Sequence, residues 1–293
     1  MSEASISHVR SFNRLVAERV GAVGEDFLGR KRPLGESRVL WEIGQAGVDV
    51  RTLRARLGLD SGYLSRVMRA LEHDGLVDVA PDPAERRVRR VSLTARGQKE
   101  WHEIDWRSDA FAASVLEPLS AAQRDELVGA MRTVERLLTA SMIDVRVVDP
   151  REAAAQWCLA RYYAEIDERF EGGFDLSRAI STEPDELRLP AGLIVVAWLR
   201  GDPVGCGVLK LHGRGPAELK RMWVSPDVRG VGLGRRLLRE LEDLAREHGA
   251  TAAHLETNRA LTEAIALYRA SGYGEVEAFN DEPHAHHWFA KPL

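Results

Sequence analysis

Cysteine is almost absent from this chain of 293 residues: only Cys158 and Cys206 occur, and they lie far apart. Two such residues supply neither a disulfide framework nor a paired zinc motif, so both are expected to be reduced and partly buried. Long apolar runs are missing too. No stretch approaches the eighteen residues of a membrane-spanning helix, and the opening MSEASISHVR lacks the apolar core of a secretory signal. A cytoplasmic protein with no membrane partner is expected. No Gly/Ser-rich or Pro-rich linker interrupts the sequence. A large excess of either charge is lacking as well, since the formal net charge is only -4. That sum hides a basic island, because residues 51–96 hold ten Arg against six Asp and Glu.

What is present is ordinary globular material, 44% hydrophobic and 29% charged, in a chain long enough for two domains. The most informative stretch is ELKRMWVSPDVRGVGLGRR, which begins at Glu218. An alternating segment, a Pro226-Asp227 turn, a loop with three glycines and a helix from about Leu233 follow one another. A strand feeding such a loop into a helix aims backbone N–H groups and the positive helix end at one point, an anion site suited to phosphate. A dinucleotide fingerprint starting at Gly230 would need glycine where Arg235 stands, and the Gly-Lys-Ser/Thr ending of a P-loop is missing. What remains is Arg229-x-x-Gly232-x-Gly234.

The N-terminal half reads as helices. Val9, Phe12, Leu15, Val16, Val20 and Val23 approximate a helical stripe over 7–27, and shorter helices are expected over 35–43 and 50–57. Asp60 or Ser61 can cap the next helix, whose Leu64, Val67, Met68 and Leu71 point inward at i, i+3, i+4, i+7. Its other face shows Tyr63, Ser65, Arg66 and Arg69. Two helices joined at a glycine turn match a helix-turn-helix. A strand over 75–79, a turn over 81–85 and an arginine-rich strand over 86–93 would add a wing. Thr94 can cap a long helix to about Leu116, and Ser120 opens another to about Ala140; both are rich in apolar positions.

The segments SGYLSR from Ser61, LEHDGLV from Leu71 and VSLTARG from Val91 resemble the MarR family of bacterial transcriptional regulators. The resemblance implies a homodimer on double-stranded DNA, joined through the first and the long helices of the N-terminal domain. It also implies DNA contacts from Ser61, Tyr63, Ser65, Arg66 and Arg69 on the helix and from Arg86, Arg87 and Arg89 in the wing. One departure stands out: Pro83-Ala84-Glu85 separates Asp82 from Arg86, where family wings often pair Asp and Arg directly.

Beyond about residue 142 the pattern changes to a strand over 143–148, a helix over 151–170, strands over 193–199, 203–211 and 218–224, a helix to His248, a strand over 252–256, a helix over 261–270, and strands over 273–279 and 286–290. The loop Arg229-x-x-Gly232-x-Gly234 resembles the acetyl-CoA loop of GNAT N-acetyltransferases. Together the two resemblances imply a mainly α winged helix-turn-helix domain over 1–142. An α/β GNAT fold with a central mixed, mostly antiparallel sheet would follow over 143–293.

The GNAT resemblance assigns acetyl-CoA contacts to Met222, Trp223, Val224, Arg229, Gly230, Val231, Gly232, Leu233, Gly234, Arg235, Asn258 and Tyr268. It casts Tyr268, in LYRASGY, as general acid for the thiolate, Glu218 as general base for an acceptor amine, and the Val224 N–H as donor to the acetyl carbonyl. The implied activity is direct acetyl transfer to a primary amine, small or amino-acid-like. The alternative is a regulator whose GNAT domain only senses acetyl-CoA. His284, His286 and His287 cluster near the end, but adjacent strand histidines point to opposite faces, so no metal is expected there. A wall of the acceptor pocket, with the Phe174-Asp175 loop, is the expected role for this segment.

Overall fold

The computed structural model describes residues 2–19, 32–82, 88–175, 184–213 and 215–293. Its contacts divide the chain into two compact units, Met1–Ala130 and Met131–Leu293. The division falls inside a helix, whereas the sequence marks the change from helix to strand at about residue 142.

In the first unit, α1 (Glu3–Arg19) starts earlier than its apolar stripe, because Ser2 Oγ accepts the Ser5 N–H at 3.2 Å and opens the first turn. Helix α2 (Leu34–Ile43), the two-residue strand β1 (Val48–Asp49) and α3 (Val50–Leu57) follow. The Asp49 carboxylate accepts the N–H groups of Arg51 and Thr52 to start α3, and Gly58, in the left-handed region, ends it. Asp60 then caps α4 (Ser61–His73), accepting the Tyr63 N–H at 2.9 Å. Leu64, Val67, Met68 and Leu71 are all buried, so the spacing fixes which face is left outward. Strands β2 (Val77–Pro81) and β3 (Arg89–Leu93) pair antiparallel from Val77↔Leu93 to Pro81↔Arg89, and β1 adds to the free side of β3. The tip of this wing, with the expected DNA contacts Arg86 and Arg87, lies outside the described residues. Thr94 Oγ1 accepts the Gly97 N–H at 3.0 Å and starts α5 (Ala95–Leu116). One core, from Val39 of α2 to Ile104 of α5, joins these elements. Helix α1 and α6 (Ala121–Met142) bury no residue.

In the second unit, a seven-stranded sheet has the order β4-β5-β6-β7-β8-β10-β9. Its strands are β4 (Asp144–Val148), β5 (Gly192–Leu199), β6 (Asp202–Lys210), β7 (Ala217–Val224), β8 (Ala252–Thr257), β9 (Gly274–Val276) and β10 (His287–Pro292). Every neighbouring pair is antiparallel except β7 and β8. Helix α7 (Ala153–Arg169) covers one face, packing Ala155, Cys158 and Leu159 on Ile194, Val196, Cys206 and Val208. Helices α8 (Leu233–Glu247) and α9 (Thr262–Ala270) share the other cluster, with Leu237, Leu238, Leu241 and Ile265 buried. Cys158 and Cys206 are fully buried, more than the sequence suggests, because both face this inner layer. Strand β9 is shorter than expected, since beyond it Phe279 turns to stack on His254 at 4.6 Å.

Candidate active site

The site opens where β7 and β8 part. Their parallel register holds only Ala217↔Ala253 and Glu218↔His254, after which the two strands have no paired residues. A bulge in β7 sets what each strand offers: Arg221 and Met222 together oppose Gly207, and Arg221 takes a left-handed φ of 50°. The alternation of side chains is thereby shifted. Glu218, Lys220 and Trp223 share the α7 face, while Met222 and Val224 join the α8 side.

Two cavities meet at this gap. The larger, about 560 Å³, is lined by Met222, Trp223, Val224, Arg229, Gly230, Gly232, Leu233, Gly234 and Arg235. It is closed by Tyr268 and by Tyr162, Glu165 and Arg169 of α7. The smaller, about 100 Å³, lies between Lys220, Arg221 and Met222 of β7 and Glu256, Thr257 and Asn258, with Phe170, Phe174 and His284 at its end. Tyr162, Met222 and Tyr268 line both. Tyr268 therefore stands at the junction.

The larger cavity has the makings of an anion site. Gly232 caps α8 in the left-handed region, φ 87°, and Gly230 has φ 82°, conformations costly for any residue with a Cβ. The N–H groups of the first turn of α8 are left without helical acceptors beside this loop. Arg229 does not hang free: its Nη2 donates to both Glu165 oxygens at 2.6 and 2.7 Å, and its Nε donates to the Val224 carbonyl at 3.1 Å. Glu165 also accepts from Trp223 Nε1 at 2.9 Å and from Arg169 Nη1 at 3.2 Å. Arg136 of α6 reaches the same cavity. Leu233 is both core and wall. Val231 packs toward the core instead of lining the cavity.

Tyr268 is buried, and burial, reinforced by the negative Glu256, pushes its phenol well above the ordinary tyrosine range. It stays a proton donor at any working pH. Asn258 is engaged in shaping the loop: Nδ2 donates to the His284 carbonyl at 2.7 Å, and Oδ1 accepts the Ala260 N–H at 2.9 Å. It borders the smaller cavity, not the larger. Glu218 lines neither. Its carboxylate faces His212 Nε2 at 3.0 Å and Lys220 Nζ at 3.5 Å, and Lys220 in turn is paired with Glu256. Glu256 is thus the strand carboxylate on the cavity wall nearest Tyr268, a residue to which the sequence reading gave no role. Little in the sequence marks it, because Glu256 reaches the cavity wall only where β7 and β8 part after two register pairs.

Of the histidine cluster, His284 lines the smaller cavity with its ring 4.7 Å from Phe174. His287 instead pairs with Glu275 at 2.6 Å, and His286 donates its backbone N–H to the Thr257 carbonyl. Among the described residues, no group of three His, Cys, Asp or Glu is arranged to hold a metal ion. No described helix is long and apolar enough to cross a membrane.

In the first unit, Ser61, Ser65, Arg66 and Arg69 are exposed on α4, and Arg89 is exposed at the start of β3. Tyr63 is only half available. Its ring carries the Arg66 guanidinium at 5.8 Å, and its hydroxyl is tucked against Gly35 so closely that a Cβ there would stand 2.1 Å away.

A model of the acetyltransferase (GNAT) family matches residues 159–273, and one of the MarR family matches residues 28–88. The IAA acetyltransferase of Azospirillum brasilense is 38% identical over 133 residues, covering 44% of this chain and 85% of that protein. The N-alpha-acetyltransferase RimI of Mycobacterium tuberculosis is 38% identical over 94 residues, 31% of this chain and 58% of that protein. The crystal structure of the PcaV transcriptional regulator from Streptomyces coelicolor aligns at 24% identity with a TM-score of 0.37, over 43% of this chain and 93% of that one. The chain belongs to the GNAT acetyltransferase family through its C-terminal half, a domain of the acyltransferase class, and carries a MarR-family domain before it.

Proposed function

We propose that this protein transfers the acetyl group of acetyl-CoA directly to a primary amine, and that its N-terminal domain binds double-stranded DNA as a homodimer. The observation that carries the first part is the place of Tyr268, at the junction of a loop-lined cavity and a smaller one walled by Glu256. Acetyl-CoA, when bound, supplies an activated thioester carbonyl. The backbone amides around Gly230, Gly232 and Gly234, with Arg235 and Arg136, hold its pyrophosphate, and Met222, Trp223 and Val224 flank its arm. The Val224 N–H polarises the acetyl oxygen. Glu256, on the wall of the acceptor cavity, accepts a proton from the amine in the role expected of Glu218, and Tyr268 donates one to the departing sulfur. Asn258 contributes by fixing the loop that carries His284. No cysteine lines either cavity, which favours direct attack over an acetyl-enzyme. The relative named N-alpha-acetyltransferase supports an amino group as acceptor.

The second part rests on the exposed row Ser61, Ser65, Arg66 and Arg69 and on Arg89 of the wing, which suit phosphate and groove contacts. Exposed Ile6, Val9, Phe12, Leu15 and Val16 on α1, with Trp106 on α5, suit a second copy. The test of the catalytic proposal is thiol release from acetyl-CoA by the purified protein against amines, amino acids and basic peptides. Turnover that requires one acceptor class is the expected result. Saturable acetyl-CoA binding without turnover on any of them would replace the enzyme with a sensor of acetyl-CoA.

A further inference from the structure

Behind the wall of the smaller cavity runs an unbroken line of charged side chains. Glu256, only 10% exposed, is paired with Lys220, which is 7% exposed. Lys220 Nζ lies 3.5 Å from Glu218, and Glu218 lies 3.0 Å from Nε2 of His212, which is 48% exposed. Burying an ammonium between two carboxylates is costly, and an apolar trio would fill a sheet face more cheaply. The gradient of exposure runs one way, from the cavity to solvent. Other ionisable groups border the line: Arg221, Glu282 and His284 share the smaller cavity with Lys220 and Glu256. Glu256 is faced by Tyr268 from α9 and Tyr162 from α7, with Asn280 Nδ2 at 3.5 Å. Glu218 has Lys210 and His254 at its cross-strand positions; Lys210 is held by Glu186 at 3.2 Å, and the His254 ring stacks on Phe279.

Building on the acetyl-transfer proposal above, we infer that Lys220, Glu218 and His212 form the path by which the acceptor's proton leaves the closed site. An ammonium acceptor becoming an amide loses two protons as its N–C bond forms and the C–S bond breaks. One goes to the departing sulfur by way of Tyr268, which regains a proton from the nitrogen. The other goes to Glu256. Lys220 passes one of its protons to Glu218 as it takes that of Glu256, Glu218 hands its proton to the His212 imidazole, and His212 releases it to water. Every group returns to its starting state, and one proton leaves per turnover. Glu256 touches the acceptor. Lys220, Glu218 and His212 act through it.

The test uses the full-length protein and the variants His212→Gln, Glu218→Gln and Glu256→Gln, with kcat followed against pH and against added imidazole. For His212→Gln the expected result is a fall in kcat of about tenfold, less than the roughly 100-fold or more of a group that exchanges a proton with the reacting atoms, because His212 acts only at the far end of the path. Imidazole restores that rate in a saturable way. Glu218→Gln falls similarly but is not rescued. Affinity for acetyl-CoA, measured by calorimetry, is unchanged in both, which separates a transfer defect from misfolding. If Glu256→Gln is inactive while both relay variants match the parent at every pH and ignore imidazole, the relay is overturned and the base stands. If Glu256→Gln retains full activity, the base assignment falls and takes the relay with it.

Discussion

Removing one oxygen at Tyr268 tests the junction directly. Its ring packs against Tyr273 and Phe289, each with centroids 6.0 Å away, so phenylalanine fills the same space. Tyr268→Phe is expected to lower kcat about 100-fold, the scale of a lost general acid, while the acetyl-CoA dissociation constant stays the same. A parent-like kcat would remove Tyr268 as the acid. The raised phenol adds a pH prediction. In the folded state it ionises only above the ordinary tyrosine value of about 10, so no alkaline loss of kcat below that pH arises from Tyr268. An alkaline limb that shifts in Tyr268→Phe would contradict this. Tyr268 was legible because LYRASGY is a local signature. Glu256 was not, since its role depends on two strands separating after two register pairs, a property of pairing that no single strand reveals.

At the scale of elements, the glycine loop and α8 work as one piece. Gly232 at φ 87° has nothing within 4 Å of a built Cβ, so a substitution there meets strain in the backbone and no clash. Gly232→Ala should cost about 1–2 kcal/mol in the left-handed conformation. It should raise the KM for acetyl-CoA about tenfold, with kcat at saturation much less affected. Denaturant unfolding and steady-state kinetics on the same variant check both halves of that statement. Elements with strong local chemistry were read well from sequence: Asp60 and Thr94 cap α4 and α5 where their side chains suggested. Elements defined by partners were read less well. Strand β1 has two residues and exists only because β3 lies beside it, and β9 ends where β10 ceases to pair with it. The bulge at Arg221, which brings Lys220 and Trp223 to the same face although they are three residues apart, leaves no mark in an alternating sequence.

For the whole molecule, the expectation is a dimer that needs its apolar helix α1. Leu15, 58% exposed, serves as the probe because its removal leaves the first unit's core untouched. Leu15→Glu should shift the sedimentation coefficient from dimer to monomer and weaken binding to operator DNA, while thermal stability of the core changes little. Arg66→Ala should weaken DNA binding without altering the oligomer and should flatten its salt dependence by about one phosphate contact. A dimer that survives Leu15→Glu, or a salt slope unmoved by Arg66→Ala, would contradict the respective assignment. The division into two families was legible because each half carries its own motif. The wing tip at Arg86 and Arg87 lies outside the described residues, so Arg66 carries this test.

The central claim is that an acetyl group crosses from thioester to amine at Tyr268. The most direct measurement supplies acetyl-CoA carrying an isotopically labelled acetyl group, with the acceptor that supports thiol release, and follows the acceptor by mass spectrometry. The account predicts one labelled acetyl on the amine nitrogen for each thiol released. Thiol released with the label found only as free acetate, or no release while acetyl-CoA is bound, would contradict it.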